Sequence, residues 1–144
     1  MTVRDDIRAN ADIVVRKLSE VSGIDDFGYN ADSVTWVDGF IERQRVRSAF
    51  DEVPNDRLSR NLACYLGECV IACYGGHWQQ LGGAWAIVFN ADNAVFPFGK
   101  VYKQFANGRE GGDSIDGWFR AIPEIFARQI GPELREKRGW WKLW

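Results

Sequence analysis

The hydrophobic period of the chain changes at Gly75-Gly76, and this change constrains the fold more than any other feature. Upstream, apolar residues recur every three or four positions, which is typical of amphipathic helices. Downstream, short aromatic and β-branched runs alternate with turn residues, which is typical of strands. Two adjacent glycines also favour a helix end, because glycine adopts backbone conformations that side chains resist. The chain therefore predicts helices first and a sheet afterwards.

Three helices are predicted before the two glycines. The first covers residues 2–22, and the second covers residues 34–50 with Asp32 or Ser33 as its cap. The third begins at a cap formed by Asn55 or Asp56 and ends at Tyr74. Each has an apolar stripe at helical spacing, so each is expected to bury one face.

Four short segments after the glycines are predicted as strands of a meandering antiparallel sheet: HWQQL, GAWAIVFN, AVFPF and GKVYKQF. A further helix is then capped by Asp113 or Ser114, and we expect Pro123 to kink or restart it. Pro132 begins a last short helix. The prediction is one α+β domain over residues 1–144, with N-terminal helices packed on an antiparallel sheet of three to four strands and followed by C-terminal helices.

Charge and composition exclude several classes of function. The net charge is −2, and no dense basic segment of the kind that binds nucleic acid is present. The longest apolar runs are far shorter than the roughly 20 residues that a membrane span needs. The first six residues include acidic side chains and no apolar export segment follows, so we expect a cytoplasmic protein with no membrane span.

All three cysteines and the only histidine lie between residues 64 and 78. A helical wheel places Cys69 and Cys73 on the apolar stripe and Cys64 on the other side. A structural zinc site needs four ligands, and a fourth is missing even if His77 turns back. We interpret the cysteines as core residues and expect neither a metal nor another cofactor. The catalytic alternative uses Cys64 as the nucleophile and His77 as its base.

Glu68 lies between these cysteines and has two interpretations. It shares one side of the wheel with Arg57 and Asn61, which indicates a half-exposed helix flank. If it is instead buried, it needs a partner, since an unpaired interior carboxylate costs several kcal/mol. The second interpretation is a functional carboxylate where the third helix meets the sheet.

Three segments resemble the motifs of a widespread bacterial domain family of uncharacterised function: SVTWVDGFIERQR, LACYLGECVIACYGGHW and PFGKVYKQFANGREGGDSIDGWF. The resemblance covers roughly residues 33 to 119 and implies a shared fold, not an activity. The polar positions that match are Glu42, Arg45, Glu68, Lys103, Asn107, Gly108, Asp113 and Ser114. The Gly-rich tip GREGG departs from the family pattern and predicts a longer loop here.

The C-terminal segment RGWWKLW is the strongest candidate for an interaction surface. On a helix, Trp140, Trp141 and Trp144 would share one arc, and exposed rings of this size form an unusually large apolar patch. Three roles stay open: docking on the domain's own sheet, binding a protein partner or a second copy, and anchoring at a membrane surface.

Common nucleotide, metalloprotease and hydrolase motifs are absent from the sequence. Our first hypothesis is therefore a non-enzymatic protein-interaction module, with an immunity or antitoxin-like role as one form. The alternative is an enzyme or small-ligand binder with a pocket at the helix-sheet junction, where Glu68, His77, Lys103 and Asp113 would converge beside Trp78 and Trp85. The candidate binding residues are Glu68, His77, Trp78, Lys103, Asn107, Asp113, Trp140, Trp141 and Trp144, with no catalytic residue assigned.

Overall fold

A computed structural model describes residues 3–47 and 56–129 of the chain. Their elements are α1 Val3–Ser22, α2 Ala31–Arg47, α3 Asp56–Tyr74, β1 His77–Leu81, β2 Ala84–Asn90, β3 Asn93–Val95, α4 Pro97–Asn107, a 3-10 turn Arg109–Gly111 and α5 Ile115–Gln129. The α+β fold class predicted from the sequence is confirmed. No helix in the described ranges is long and apolar enough to span a membrane.

The sheet has three antiparallel strands in the order β1-β2-β3. Leu81 pairs with Ala84 across a two-residue turn in which Gly82 and Gly83 have φ values of 57° and 87°. Positive φ at both positions matches the right-handed twist of a hairpin, and glycine adopts it without strain. The alternation of the sequence predicts β1 and β2 correctly. The predicted third strand AVFPF is only partly right, because β3 covers Asn93–Val95 while Pro97 and Phe98 belong to helix α4.

The predicted fourth strand GKVYKQF is wrong, because these residues belong to helix α4. Pro97 occupies the first turn of α4, where its missing N–H costs no hydrogen bond. Val101 and Gln104 are buried and Phe105 is half-buried, so burial follows the three-to-four spacing of a helix. Lys100 and Lys103 consequently lie one turn apart rather than on opposite faces of a strand.

Two helix boundaries also differ from the sequence prediction. Helix α2 begins at Ala31 because Asn30, not Asp32 or Ser33, caps it: the Asn30 side-chain oxygen accepts the Ser33 N–H at 2.9 Å. Helix α5 continues through Pro123 without restarting. Its predicted cap at Ser114 is confirmed, since the Ser114 hydroxyl accepts the Gly117 N–H at 3.1 Å.

Helix α3 is the centre of the fold, with α1 along one side and α4 and the sheet along the other. It is therefore buried over most of its circumference from Leu62 to Val70. One contiguous apolar core joins α1, α2, α3, α4, α5 and the sheet; its largest fully buried side chains include Tyr65, Phe119, Ile41, Leu62, Leu66 and Ile87. The position of α1 over α3 decides which α3 side chains can reach solvent.

Candidate functional site

Glu68 lies at the junction of α1, α3 and β1, and both of its carboxylate oxygens are engaged. Arg8 of α1 donates to Oε1 at 3.0 Å, and the indole Nε1 of Trp78 donates to Oε2 at 2.7 Å. The Glu68 side chain is only 10% exposed. The half-exposed flank expected from the wheel is therefore wrong, because α1 covers that side of α3.

The Glu68 contacts continue outward to the surface through Arg8. Its Nε donates to Asp12 at 3.1 Å, and its guanidinium lies 4.6 Å from the ring centre of Tyr29. The Tyr29 hydroxyl in turn donates to Asp12. Burial and this bond to Asp12 raise the pKa of the Tyr29 phenol, so it stays protonated at neutral pH. These three side chains and Glu68 form one network that ties α1 to α3.

Trp78 is held against α3 by a close approach to Gly67. A Cβ at residue 67 would lie 2.1 Å from the Trp78 ring, so only glycine leaves room for the indole. Trp78 is 2% exposed and packs edge-on against Phe98 of α4 at 5.9 Å. The predicted neighbourhood of Glu68 and Trp78 exists, and it is filled by protein side chains.

The other members of the predicted pocket have different partners. His77 is exposed, with its Nε2 3.3 Å from the side-chain oxygen of Gln79. Lys103 is exposed on α4. Asp113 accepts from Asn107 at 3.0 Å and from Lys100 at 3.1 Å. The structure thus brings Glu68 to Trp78 and Asn107 to Asp113, and it records no hydrogen bond or ion pair between these two pairs.

Asp113 and Asn107 close the loop between α4 and α5. The hydrogen bond from Asn107 and the ammonium of Lys100 lower the pKa of Asp113. Gly108 follows Asn107 with φ of 72°, and a Cβ there would lie 2.0 Å from an Arg45 nitrogen. The Arg45 guanidinium therefore packs directly against the predicted Asn-Gly turn. Its Nε donates to the carbonyl of Phe105 at 3.1 Å.

The three cysteines have thiols of low reactivity. Cys64 is buried under α1, and Cys69 is buried in the core. Burial raises the pKa of Cys64 to about 11 and raises that of Cys69 further. Cys73 is exposed, contrary to its predicted place in the core stripe, and partial burial also raises its pKa. Because the thiolate is the reactive form, none of the three is poised as a nucleophile.

Asp38 forms a buried polar cluster that the sequence reasoning missed. Its side chain is 1% exposed and is bonded by the Arg109 Nε, by the Ser114 hydroxyl at 2.5 Å and by the Asp116 N–H at 3.0 Å. Burial alone would raise the pKa of Asp38, and these hydrogen bonds outweigh it and lower the pKa. Asp38 therefore stays ionised and acts as a remote cap for the first turn of α5.

Gln104 completes this cluster. Its side-chain oxygen accepts the Ile115 N–H at 2.8 Å, and its amide donates to Glu42 at 3.1 Å. The first three N–H groups of α5 are thus satisfied by Gln104, Asp38 and Ser114. Free N–H groups at a helix start need such partners when buried, so the cluster has a structural explanation.

The outward side of α4 is exposed within the described part of the chain. We define the α4 outer face as Phe96, Gly99, Tyr102, Lys103 and Ala106, all of which are exposed. Phe96 is 45% exposed and Tyr102 is 54% exposed, which are large fractions for aromatic side chains. A Cβ at Gly99 would meet nothing within 4 Å, so the centre of the face is flat and open.

The three C-terminal tryptophans proposed from the sequence, Trp140, Trp141 and Trp144, lie outside the described residues. Within residues 3–47 and 56–129, no group of three or more His, Cys, Asp or Glu side chains has the geometry to hold a metal ion. No family model, no curated protein and no solved structure matches the chain. The resemblance carried by the sequence motifs therefore stays a prediction.

Proposed function

We propose that this chain is a non-enzymatic protein-interaction module and that the α4 outer face is its contact surface. The observation that carries the proposal is the exposure of Phe96 and Tyr102 on either side of the open position Gly99. Aromatic side chains are enriched in the centres of protein interfaces because each buries a large apolar area on binding. Two such rings around a flat centre offer room for an apolar side chain of a partner.

The charge of α4 indicates which kind of partner surface it would bind. Helix α4 has the sequence PFGKVYKQFAN, so its only charged side chains are Lys100 and Lys103. Lys100 is paired with Asp113, whereas Lys103 stays exposed on the outer face. Charges at the rim of an interface orient a partner and accelerate association with a surface of opposite sign. The expected partner surface is apolar at its centre and acidic beside it.

The polar groups that chemistry would use are committed elsewhere, which also supports a binding role. Both oxygens of Glu68 accept from Arg8 and Trp78, and Asp113 accepts from Asn107 and Lys100. The pKa values of the thiols are raised rather than lowered. The alternative of a ligand pocket around Glu68 would require the Trp78 indole to leave its place against Gly67.

An immunity or antitoxin-like role is one form of this function. In that form the module would bind and block another protein encoded by the same organism. The exposed ammonium of Lys103 on the outer face favours a target protein with an acidic contact surface.

Site-specific photocrosslinking in a bacterial host tests the proposal. Tyr102 is replaced by p-benzoylphenylalanine, which keeps an aromatic ring on the outer face, and Lys17 on the exposed side of α1 is replaced in a control. We expect a discrete crosslinked protein from position 102 and not from position 17. Excess wild-type protein should compete the crosslink away, whereas a Gly99→Gln variant, which fills the flat centre, should not. Identical crosslinking from both positions would contradict the proposal.

A further inference from the structure

Two guanidinium groups converge over Gly39 on the exposed side of α2. The Nη1 of Arg43 lies 3.2 Å, and the Nη2 of Arg109 lies 3.7 Å, from the place that a Cβ at residue 39 would occupy. The two nitrogens are therefore at most about 7 Å apart, within the Debye length of about 8 Å at physiological ionic strength. Two like charges held this close favour an anion between them.

Arg43 brings a charge that the described part of the chain does not neutralise. Its guanidinium lies over the ring of Trp36 at 5.1 Å, and Trp36 stacks on Phe40 at 5.6 Å. No carboxylate among residues 3–47 and 56–124 lies within 4 Å of an Arg43 nitrogen. The aromatic ring orients the guanidinium while leaving its N–H groups available to an acceptor.

Arg109 reaches the same place from the 3-10 turn. Its Nε donates to Asp38, and its Nη groups have no acceptor among residues 3–47 and 56–124. The Arg109 side chain is 51% exposed, so those groups face solvent beside Gly39. Asp38 thus fixes the direction of the guanidinium through its Nε and leaves the edge that carries the Nη groups open.

Most carboxylates around this spot already have partners. Asp38 offsets one of the two arginines, and Glu42 is already bonded to Arg45 and to the Arg109 backbone N–H. Asp116 on α5 is paired with Arg120. Glu110 is exposed on the 3-10 turn and forms no ion pair within the described part of the chain, so Asp38 and Glu110 together balance Arg43 and Arg109 in charge. An external anion is therefore favoured by geometry: the Arg43 guanidinium has no carboxylate partner among the described residues and meets the Nη2 of Arg109 beside Gly39.

We infer that Arg43 and Arg109 form a binding site for a carboxylate side chain of an acidic protein segment. The inference rests on the proposed function for the nature of the partner. The two carboxylate oxygens would each accept from one guanidinium, where the two groups meet beside Gly39. Arg109 follows the C-terminal end of α4 in the chain, and Arg43 reaches it from α2.

The test uses the full chain and a blocked hexapeptide that contains two glutamates, with the glutamine version of the same peptide as the uncharged comparison. Binding is followed by NMR through the side-chain Nε–H signals of the arginines. We expect the Arg43 and Arg109 signals to shift with the glutamate peptide and not with the glutamine peptide. Loss of one charged donor by Arg43→Gln should weaken binding about tenfold.

Gly39→Glu supplies an internal competitor. A glutamate four residues before Arg43 has the favourable helical orientation for an ion pair, so its carboxylate should occupy the site. This variant should abolish peptide binding and raise the melting temperature. Arg16→Gln, an exposed arginine on α1, is the matched control and should bind as the wild type does.

Three outcomes would overturn the inference. The first is glutamate-peptide binding that is unchanged in both Arg43→Gln and Gly39→Glu. The second is equal shifts from the glutamine peptide. The third is saturable binding of inorganic phosphate, sensitive to Arg43→Gln, with no response to the glutamate peptide, which would make this a phosphate site. None of these results bears on crosslinking from Tyr102, so the proposed function fails or holds separately.

Discussion

Polar residues on apolar helix stripes carry most of the specific contacts in this chain. Asp38 lies between Val37 and Ile41 on the buried face of α2, and Gln104 lies on the buried face of α4. Spacing alone indicates that such residues are interior, since they share a face with core side chains. Their partners cannot be predicted, because these are residues more than ten positions away that are brought close only by tertiary packing.

Glu68→Gln should lower the free energy of unfolding by about 1–3 kcal/mol. The glutamine oxygen can still accept from Trp78, but Arg8 loses the charged acceptor that holds α1 to the buried end of this pair. Urea denaturation measures the change, and Glu20→Gln on the exposed side of α1 should stay within about 0.5 kcal/mol of the wild type. Equal stability of both variants would show that the Arg8–Glu68 pair does not hold α1 on α3.

Two glycine substitutions should have opposite effects. Gly67→Ala places a methyl group 2.1 Å from the buried Trp78 ring, so we expect a loss of at least about 2 kcal/mol from overpacking. Gly99→Ala meets no neighbour and removes a flexible residue from α4, so we expect a gain of about 0.5–1 kcal/mol. Thermal or urea unfolding of the two variants measures both changes in stability. Destabilisation by Gly99→Ala would contradict the open geometry of the outer face.

At the scale of elements, α4 shows where sequence periodicity is ambiguous. The segment GKVYKQF has only two strong apolar residues on its buried side, and its β-branched and aromatic content is typical of a strand. The decisive signal is Pro97 two residues before Gly99, because proline is favoured in the first turn of a helix and disfavoured within a sheet. The hairpin of β1 and β2 was predictable because a Gly-Gly pair between alternating runs specifies its own turn.

The start of α5 depends on the ionised form of Asp38, which predicts a dependence of stability on pH. The folded pKa of Asp38 is below its ordinary value of 3.8, so its contribution is complete above that value. The contribution is lost as the pH falls through the folded pKa. Asp38→Asn should therefore cost about 2–4 kcal/mol at pH 7 and should flatten the acid side of the stability curve below the ordinary pKa of 3.8.

Chemical denaturation across this pH range checks the Asp38 prediction. Asp113, whose pKa is also lowered, contributes to the same acid slope, so Asp113→Asn is the necessary comparison. Asp113 lies outside the core cluster, and its variant should retain the part of the slope that Asp38 provides. An acid slope that is unchanged in Asp38→Asn would contradict the capping role.

At the scale of the whole molecule, the sequence predicts the class of the fold better than its surface. Helical and strand periods predict the order of elements, and the Gly75-Gly76 break is where α3 ends. The docking of α1 across α3 is set by tertiary packing, which a helical wheel does not describe. It buries Cys64 and Glu68 on a side of α3 that the wheel alone leaves exposed. The outward side of α4 is exposed among residues 3–47 and 56–129, and the sequence pattern does not predict this surface.

The central claim is that the α4 outer face binds a protein partner. The most direct test is the dissociation constant of the protein crosslinked from Tyr102, purified and measured against wild-type chain and Tyr102→Ser. Loss of a central aromatic contact should weaken binding at least about tenfold, with unchanged affinity for Lys17→Gln. An affinity for Tyr102→Ser within twofold of the wild type, while the variant stays folded, would contradict the claim.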